Sequence, residues 1–259
     1  MDSIWAGAWS VRWGFVIGAL VVVHDVTRLH RLENLRRDFV ANVSHELKTP
    51  ITAIKGAVET LQDGAMNNPS DSRHFLDIAS RQADRLNALF EDLLSLSRLE
   101  RDIEAAEIKC QKESLQPILE AAVQACATTA ESCRVEVRLF CSEQLMARVN
   151  ALLLEQAVIN LVDNAIKYSN AEGVVTVEGW QDGNQVMIKV QDRGQGIDKA
   201  HLPRIFERFY RVDAARSRAV GGTGLGLSIV KHIVQAHLGK VTAHSTPGEG
   251  SVFTISLPV

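Results

Sequence analysis

The stretch Phe39-Val40-Ala41-Asn42-Val43-Ser44-His45-Glu46-Leu47-Lys48-Thr49-Pro50 decides how the first third of the chain folds. Phe39, Val43 and Leu47 recur every four residues. The same stride runs outward through Leu35 and Leu32 on one side and Ile51, Ile54, Val58 and Leu61 on the other. Apolar residues at three- and four-residue steps form one stripe on a long amphipathic helix, nearly coiled-coil in character. At about 100° per residue, His45 lies about 200° from both Val43 and Leu47, so the stripe that seeks a core turns His45 to water. Thr49 lies one turn further on the same face, with Glu46 beside it. Pro50 brings no amide, frees the carbonyl of Glu46 and favours a local bend.

An exposed imidazole next to a carboxylate can serve as a nucleophile with its base. Taken alone, a His-Glu pair favours an incidental surface histidine. Beyond it the helix ends near Gly64, before the breaker cluster Asn67-Asn68-Pro69-Ser70. Phe75, Ile78, Gln82, Leu86, Leu89, Leu93 and Leu96 then mark a second helix, so the pair makes an antiparallel hairpin. Two helices alone bury their stripes poorly. A four-helix bundle built from two copies solves this, which predicts a homodimer.

From about Lys109 the texture is mixed. Ser114 to about Thr129 reads as helix and Arg134 to Phe140 as strand, and Asn150 caps a helix through Leu161 to Tyr168. Val174–Trp180 and Val186–Val190 read as strands joined by Asp182-Gly183, a hairpin signal. Leu225–Leu238 is a helix stopped by Gly239, and strands Lys240–Ser245 and Ser251–Leu257 flank Pro247-Gly248-Glu249-Gly250. Strands and helices mix without strict βαβ alternation, so this half is expected to be an α+β sandwich.

Composition narrows the function classes. With 28 Lys and Arg against 31 Asp and Glu, the net charge of −3 speaks against a general nucleic-acid binder. Cys110, Cys126, Cys133 and Cys141 contain no C-x-x-C pair, which predicts reduced thiols and neither a disulfide framework nor a zinc site. The uncharged run Trp13–Val23 has eleven residues, where a spanning helix needs about 20. Residues 4–23 therefore read either as a strand left from a preceding domain or as a membrane segment.

Three further constellations carry chemistry. Asn160 and Asn164 share a helix face with Lys167 and Tyr168: carboxamide oxygens suit Mg²⁺, a lysine suits phosphate, and a ring suits a base. Asp192-Arg193-Gly194-Gln195-Gly196-Ile197 puts a carboxylate and two bare backbone positions after a strand, able to take the exocyclic amine of adenine. Gly221-Gly222-Thr223-Gly224-Leu225-Gly226 opens a helix whose free amides favour an anion. It is not a P-loop, since no Gly-Lys-Ser/Thr follows, and its spacing is not the dinucleotide fingerprint.

In this order the motifs resemble the sensor histidine kinases of two-component signalling, of the PhoR-like kind, over about residues 27 to 259. Phe39–Pro50 is similar to the H box, Glu155–Tyr168 to the N box, Asp192–Ile197 and Gly222–Leu227 to the two glycine boxes, and Phe206–Arg211 to the F box. Gly18–Leu29 resembles the last strand of a PAS sensor domain running into the kinase helix. The resemblance implies a remnant over 1–26, a dimerisation and phosphotransfer domain over 27–104, and a Bergerat-type ATP-binding domain over 110–259. It implies that His45 takes the γ-phosphoryl group of ATP, with Glu46 as base and Thr49 orienting water when the regulator is dephosphorylated. By the same likeness, Asn164 with Asn160 would ligate Mg²⁺, and Lys167 would meet the phosphates. Asp192, Gly194, Gly196, Ile197 and Tyr168 would surround adenine. Thr223, Gly224, Leu225 and Gly226 would hold the phosphates under a lid over about 208–221. The implied partner is a response-regulator receiver domain, and the implied location is cytoplasmic, with membrane attachment left to a longer parent chain. Two rivals stand beside this: an ATPase of the gyrase and heat-shock superfamily, which would want a Glu where Asn160 stands, and a catalytically silent nucleotide-binding scaffold.

Overall fold

A computed structural model of the chain describes residues 27–105, 108–213 and 222–259. The strand or membrane segment expected within 1–26, and most of the expected lid, lie outside the described residues. The chain divides into two units, Met1–Thr49 and Pro50–Val259. The cut falls inside the expected 27–104 domain. Helix α1, Thr27–Gln62, runs through it without interruption.

In the first unit Phe39, Val43 and Leu47 are half-buried, while Val40, Ser44, His45 and Lys48 are exposed. The four-residue stride therefore sets which side of α1 is dry. Ser44 and Thr49 return their hydroxyls to the carbonyls one turn back, Ser44 to Val40 at 2.8 Å and Thr49 to His45 at 3.2 Å. This is how such side chains satisfy themselves inside a helix.

The second unit begins at Pro50, which is buried, and the last turns of α1 bury Ala57 and Leu61. Gly64, at φ 119°, turns the chain into a 3-10 helix over Ala65–Asn67. Asn68 then accepts the amide of Ser70 at 3.0 Å, and Pro69 supplies the first residue of α2, Pro69–Glu104. A capping carboxamide with proline just inside the start is the expected opening of a helix. On α2, Leu89, Leu96 and Leu99 are buried, whereas Leu76, Phe90 and Leu94 are exposed, as are Ile51 and Val58 on α1. A second apolar strip thus runs one residue beside the first.

The sandwich follows. Its elements are β1 Gln111–Ser114, α3 Leu115–Ala125, α4 Ala127–Cys133, β2 Glu136–Cys141, β3 Met146–Val149, α5 Ala151–Tyr168, β4 Val174–Asp182, β5 Gln185–Gln191, α6 Gly226–Ala236, β6 Lys240–Thr246 and β7 Gly250–Pro258. The main sheet has the order β2-β4-β5-β7-β6, with β2 and β4 parallel and the other pairs antiparallel. Its inner face presents Val175, Val177, Val186, Ile188, Val190, Phe253, Ile255 and Leu257, all buried, at the two-residue period of a half-covered sheet. Leu119 of α3, Leu161 of α5 and Ile233 of α6 meet them from the helix layer, in which α5 lies between α3 and α6. On the outer face Lys189 pairs with its cross-strand partner Glu178 at 2.5 Å. Helix α2 packs against α6.

Two departures from the sequence pattern have local causes. The expected helix from Ser114 to Thr129 breaks at Cys126, and this turns its buried thiol toward α5, 3.9 Å from the carbonyl of Ile159. Burial pushes that thiol up to about 11. Strands β1 and β3 had no strong signal: they are four residues each, and they pair antiparallel as a small second sheet. All four cysteines are free. Among the described residues, no helix is long and apolar enough to cross a membrane.

Candidate functional site

Helix α5 opens where the Asn150 side chain accepts the amide of Leu153 at 3.2 Å. It buries Leu154, Ala157, Val158, Leu161, Val162, Ala165 and Ile166 on its inner side. That leaves Asp163, Asn164, Lys167 and Tyr168 to line a cavity of about 470 Å³, a size suited to a small-molecule ligand. Lys167 reaches across one turn to Asp163, at 2.6 Å. Asn160 does not line the cavity. It lies beneath Gly226, where an added Cβ would stand 3.5 Å from its Oδ1, and its Nδ2 is buried without a hydrogen-bond partner.

Asp192 directly follows β5 and is only 4% exposed. Its Oδ1 accepts the amides of Gly194 at 2.8 Å and Ser251 at 3.2 Å. Both of these amide bonds fall on one oxygen, and the Asp192 carboxylate lines the cavity. Burial pushes this carboxyl above the usual range, while the amides of Gly194 and Ser251 pull it back. Gly194 leaves no choice of residue, because an added Cβ would come within 2.0 Å of the carbonyl of Tyr168. Gly194 itself stands behind the lining, and Gly196 and Ile197 join it. The amide of Ile197 is held by Ser245 Oγ at 2.7 Å.

The third wall is the start of α6. Gly222, Thr223, Gly224, Gly226 and Leu227 line the cavity, whereas Leu225 is fully buried behind it. Gly224 holds φ at 79°, a left-handed conformation that favours glycine, and its carbonyl accepts the amide of Phe209 at 2.8 Å. Arg211 Nη2 donates to the carbonyl of Gly222, also at 2.8 Å. These bonds tie Phe209 and Arg211 to Gly224 and Gly222, and Tyr210, Arg211, Val212 and Asp213 join the cavity lining. Tyr210 is oriented by His201 Nδ1 at 2.6 Å and by the Arg204 guanidinium 4.3 Å from its ring.

The sequence assigned no role here to Asp92, and placed Tyr210 and Arg211 only within the F box and the expected lid. Asp92 comes from α2, with Thr223 Oγ1 donating to its Oδ2 at 2.5 Å across 131 positions of chain, a juxtaposition no local pattern encodes. In the other unit His45 is exposed, Glu46 is half-buried, and Thr49 bonds to the carbonyl of His45.

The cavity fits a nucleotide. It offers a buried carboxylate, a close-packed glycine turn and a helix start with bare amides, which receives anions well. Asn164 at the wall, with Asp163 nearby, suits a hard cation shared with phosphates. Among the described residues, no cluster of three His, Cys, Asp or Glu could hold a metal by itself.

Residues 35–102 match the His Kinase A (phospho-acceptor) domain, and residues 149–259 match the histidine kinase-, DNA gyrase B- and HSP90-like ATPase. The phosphate regulon sensor protein PhoR of Pseudomonas aeruginosa is 41% identical over 237 residues, 91% of this chain and 53% of PhoR. The chain spans about half the length of the curated relatives it matches. The Acinetobacter baumannii histidine kinase AdeS is similar at a TM-score of 0.63 and 26% identity, over 83% of this chain and 97% of AdeS. The histidine kinase ThkA, solved in complex with response regulator protein TrrA, is alike in fold at a TM-score of 0.68 and 21% identity, over 92% of this chain and 69% of that one. With a phospho-acceptor helical region followed by an ATPase sandwich, the chain belongs to the sensor histidine kinases of two-component systems.

Proposed function

We propose that the protein is an ATP-dependent histidine autokinase that phosphorylates His45 and passes the phosphoryl group to an aspartate of a response-regulator receiver domain. One observation carries this reading: the cavity lined by Asn164, Lys167, Asp192, Gly196 and Thr223 occurs in one chain with an exposed histidine on a phospho-acceptor helix. Asp192 would accept the adenine amine, with Tyr168 and Ile197 beside the ring. Lys167, Thr223 and the amides opening α6 would receive the phosphates. Asn164, backed by Asn160, would hold Mg²⁺, which offsets phosphate charge when bound.

In the transfer, an imidazole nitrogen of His45 bonds to the γ-phosphorus, the bond to the ADP oxygen breaks, and Glu46 takes the imidazole proton. The phosphorus–nitrogen bond then breaks as a carboxylate oxygen of the regulator takes the group. Such transfers depend chiefly on positioning and charge stabilisation. Thr49 would orient water when the regulator is dephosphorylated. On this reading residues 27–104 are the phosphotransfer domain and 110–259 the nucleotide domain. Two copies pair through the apolar strip of Ile51, Val58, Leu76, Phe90 and Leu94. The core works in the cytoplasm.

Incubation with γ-labelled ATP and Mg²⁺ tests the reading. The label should be lost in acid, stable in base, and absent from His45→Gln. Label persisting in that variant would remove His45 from its role.

A further inference from the structure

Three successive turns of α2 are seated on the sandwich by polar contacts. Asp92 Oδ2 receives the Thr223 hydroxyl at 2.5 Å, and Ser95 Oγ receives Gln156 Nε2 at 2.7 Å. Glu100 pairs with Arg208 and lies 3.6 Å from His232 Nε2. Leu96 and Leu99, between these contacts, are buried. Of the three polar residues only Asp92 also lines the cavity, in company with Asp163, Lys167 and Thr223.

A carboxylate offers a hydroxyl or a lysine the same kind of acceptor as a phosphate oxygen. Thr223 Oγ1 also accepts the amide of Leu225 at 3.2 Å, so Asp92 grips the residue that holds the turn leading into α6. Burial raises the Asp92 carboxyl, and Thr223 and Lys167 draw it back, while Glu91 and Asp163 add repulsion. A polyphosphate brought to Thr223 and Lys167 would meet this second anion at close range in a half-buried site, where like charges repel far more than in water.

We propose that Asp92 is a phosphate-mimicking latch: seating of α2 on the sandwich and binding of nucleotide phosphates at Thr223 exclude one another. This rests on the reading of the cavity as a nucleotide site. Phosphate entry releases α2, and by reciprocity anything that releases α2 strengthens phosphate binding. Glu100 acts on the same equilibrium from outside the cavity, through Arg208 and His232.

The test is calorimetric titration of the full chain with Mg-AMPPNP, together with hydrogen exchange of residues 88–100, for the wild type, Asp92→Ala and Glu100→Gln. Saturating the wild type should speed exchange in α2. Both variants should bind about 5-fold or more tightly than wild type and show fast α2 exchange before nucleotide is added. Equal affinities, or α2 exchange unchanged at saturation, would overturn the latch. Tighter binding by Asp92→Ala alone would also overturn it, since that reduces Asp92 to a local charge. If no protein binds the nucleotide while both variants still loosen α2, the nucleotide reading fails and the competition with it, a result distinct from binding without release.

Discussion

The backbone amide of Asn150 donates to Nε2 of His237 at 2.9 Å, and Nδ1 of His237 donates to the carbonyl of Ile233 at 2.7 Å. An amide can only donate and a carbonyl can only accept, so the contacts themselves assign the neutral tautomer. The imidazole ties the first turn of α5, the helix of Asn164 and Lys167, to the last turn of α6, the helix that opens at the glycine turn.

Burial holds the His237 pKa below its usual 6.5, against the pull of the Ile233 carbonyl. The unfolded chain therefore binds a proton that the folded chain refuses. The stability from this neutral ring is complete above about pH 6.5 and drains away as pH falls toward the lowered folded value. Urea midpoints of the wild type should decline through that window. His237→Phe should be flatter there and about 1–3 kcal/mol less stable at neutral pH, because the Asn150 amide loses its acceptor.

Asp192→Asn should fold yet lose nucleotide. Its carboxamide oxygen can keep the amides of Gly194 and Ser251, but this turns the NH₂ group toward the cavity, where a donor faces the donor of adenine. One mismatched buried hydrogen bond costs about 1–3 kcal/mol, so ATP affinity should drop about 10- to 100-fold. Calorimetric titration checks this; wild-type affinity in the variant would separate Asp192 from base recognition.

Gly194→Ala should act on the fold first. The added methyl has no room against the Tyr168 carbonyl, which is backbone and cannot swing aside. A loss of about 1–3 kcal/mol is expected from such overpacking, read as a lower denaturation midpoint together with weaker nucleotide binding.

Thr49→Ala removes a hydroxyl that bonds to the His45 carbonyl and leaves the imidazole in place. Autophosphorylation should persist while dephosphorylation of the regulator slows, measured by label decay on a receiver domain. Equal loss of both activities would argue that the hydroxyl merely shapes the helix.

Periodic and capping features are legible in the sequence itself. The stride from Phe39 to Leu61, though Ile51 and Val58 on it are exposed, the Asn150 cap and the hairpin signal at Asp182-Gly183 all report local physics. The hairpin turn itself falls one residue later, on Gly183-Asn184, with Gly183 at φ 57°. What escaped has little local signature. Strand β1 is Gln-Lys-Glu-Ser, too short and polar to alternate, and exists because β3 pairs with it. The exposed strip at Leu76, Phe90 and Leu94 hides beside a stronger one. Asn160 shares a helix face with Asn164, as spacing implies, but Gly226 packs over it and keeps it from the cavity wall. Asp92 reaches Thr223 only through the packing of α2 on α6.

The bare side of the helical pair carries its own consequence. Leu76, Phe90, Leu94 and Val58 are 57%, 48%, 56% and 42% exposed. Two copies paired through these side chains, as proposed above, would cover them. Under that pairing mass action would govern the helices, and dilution would work on them as a denaturant does.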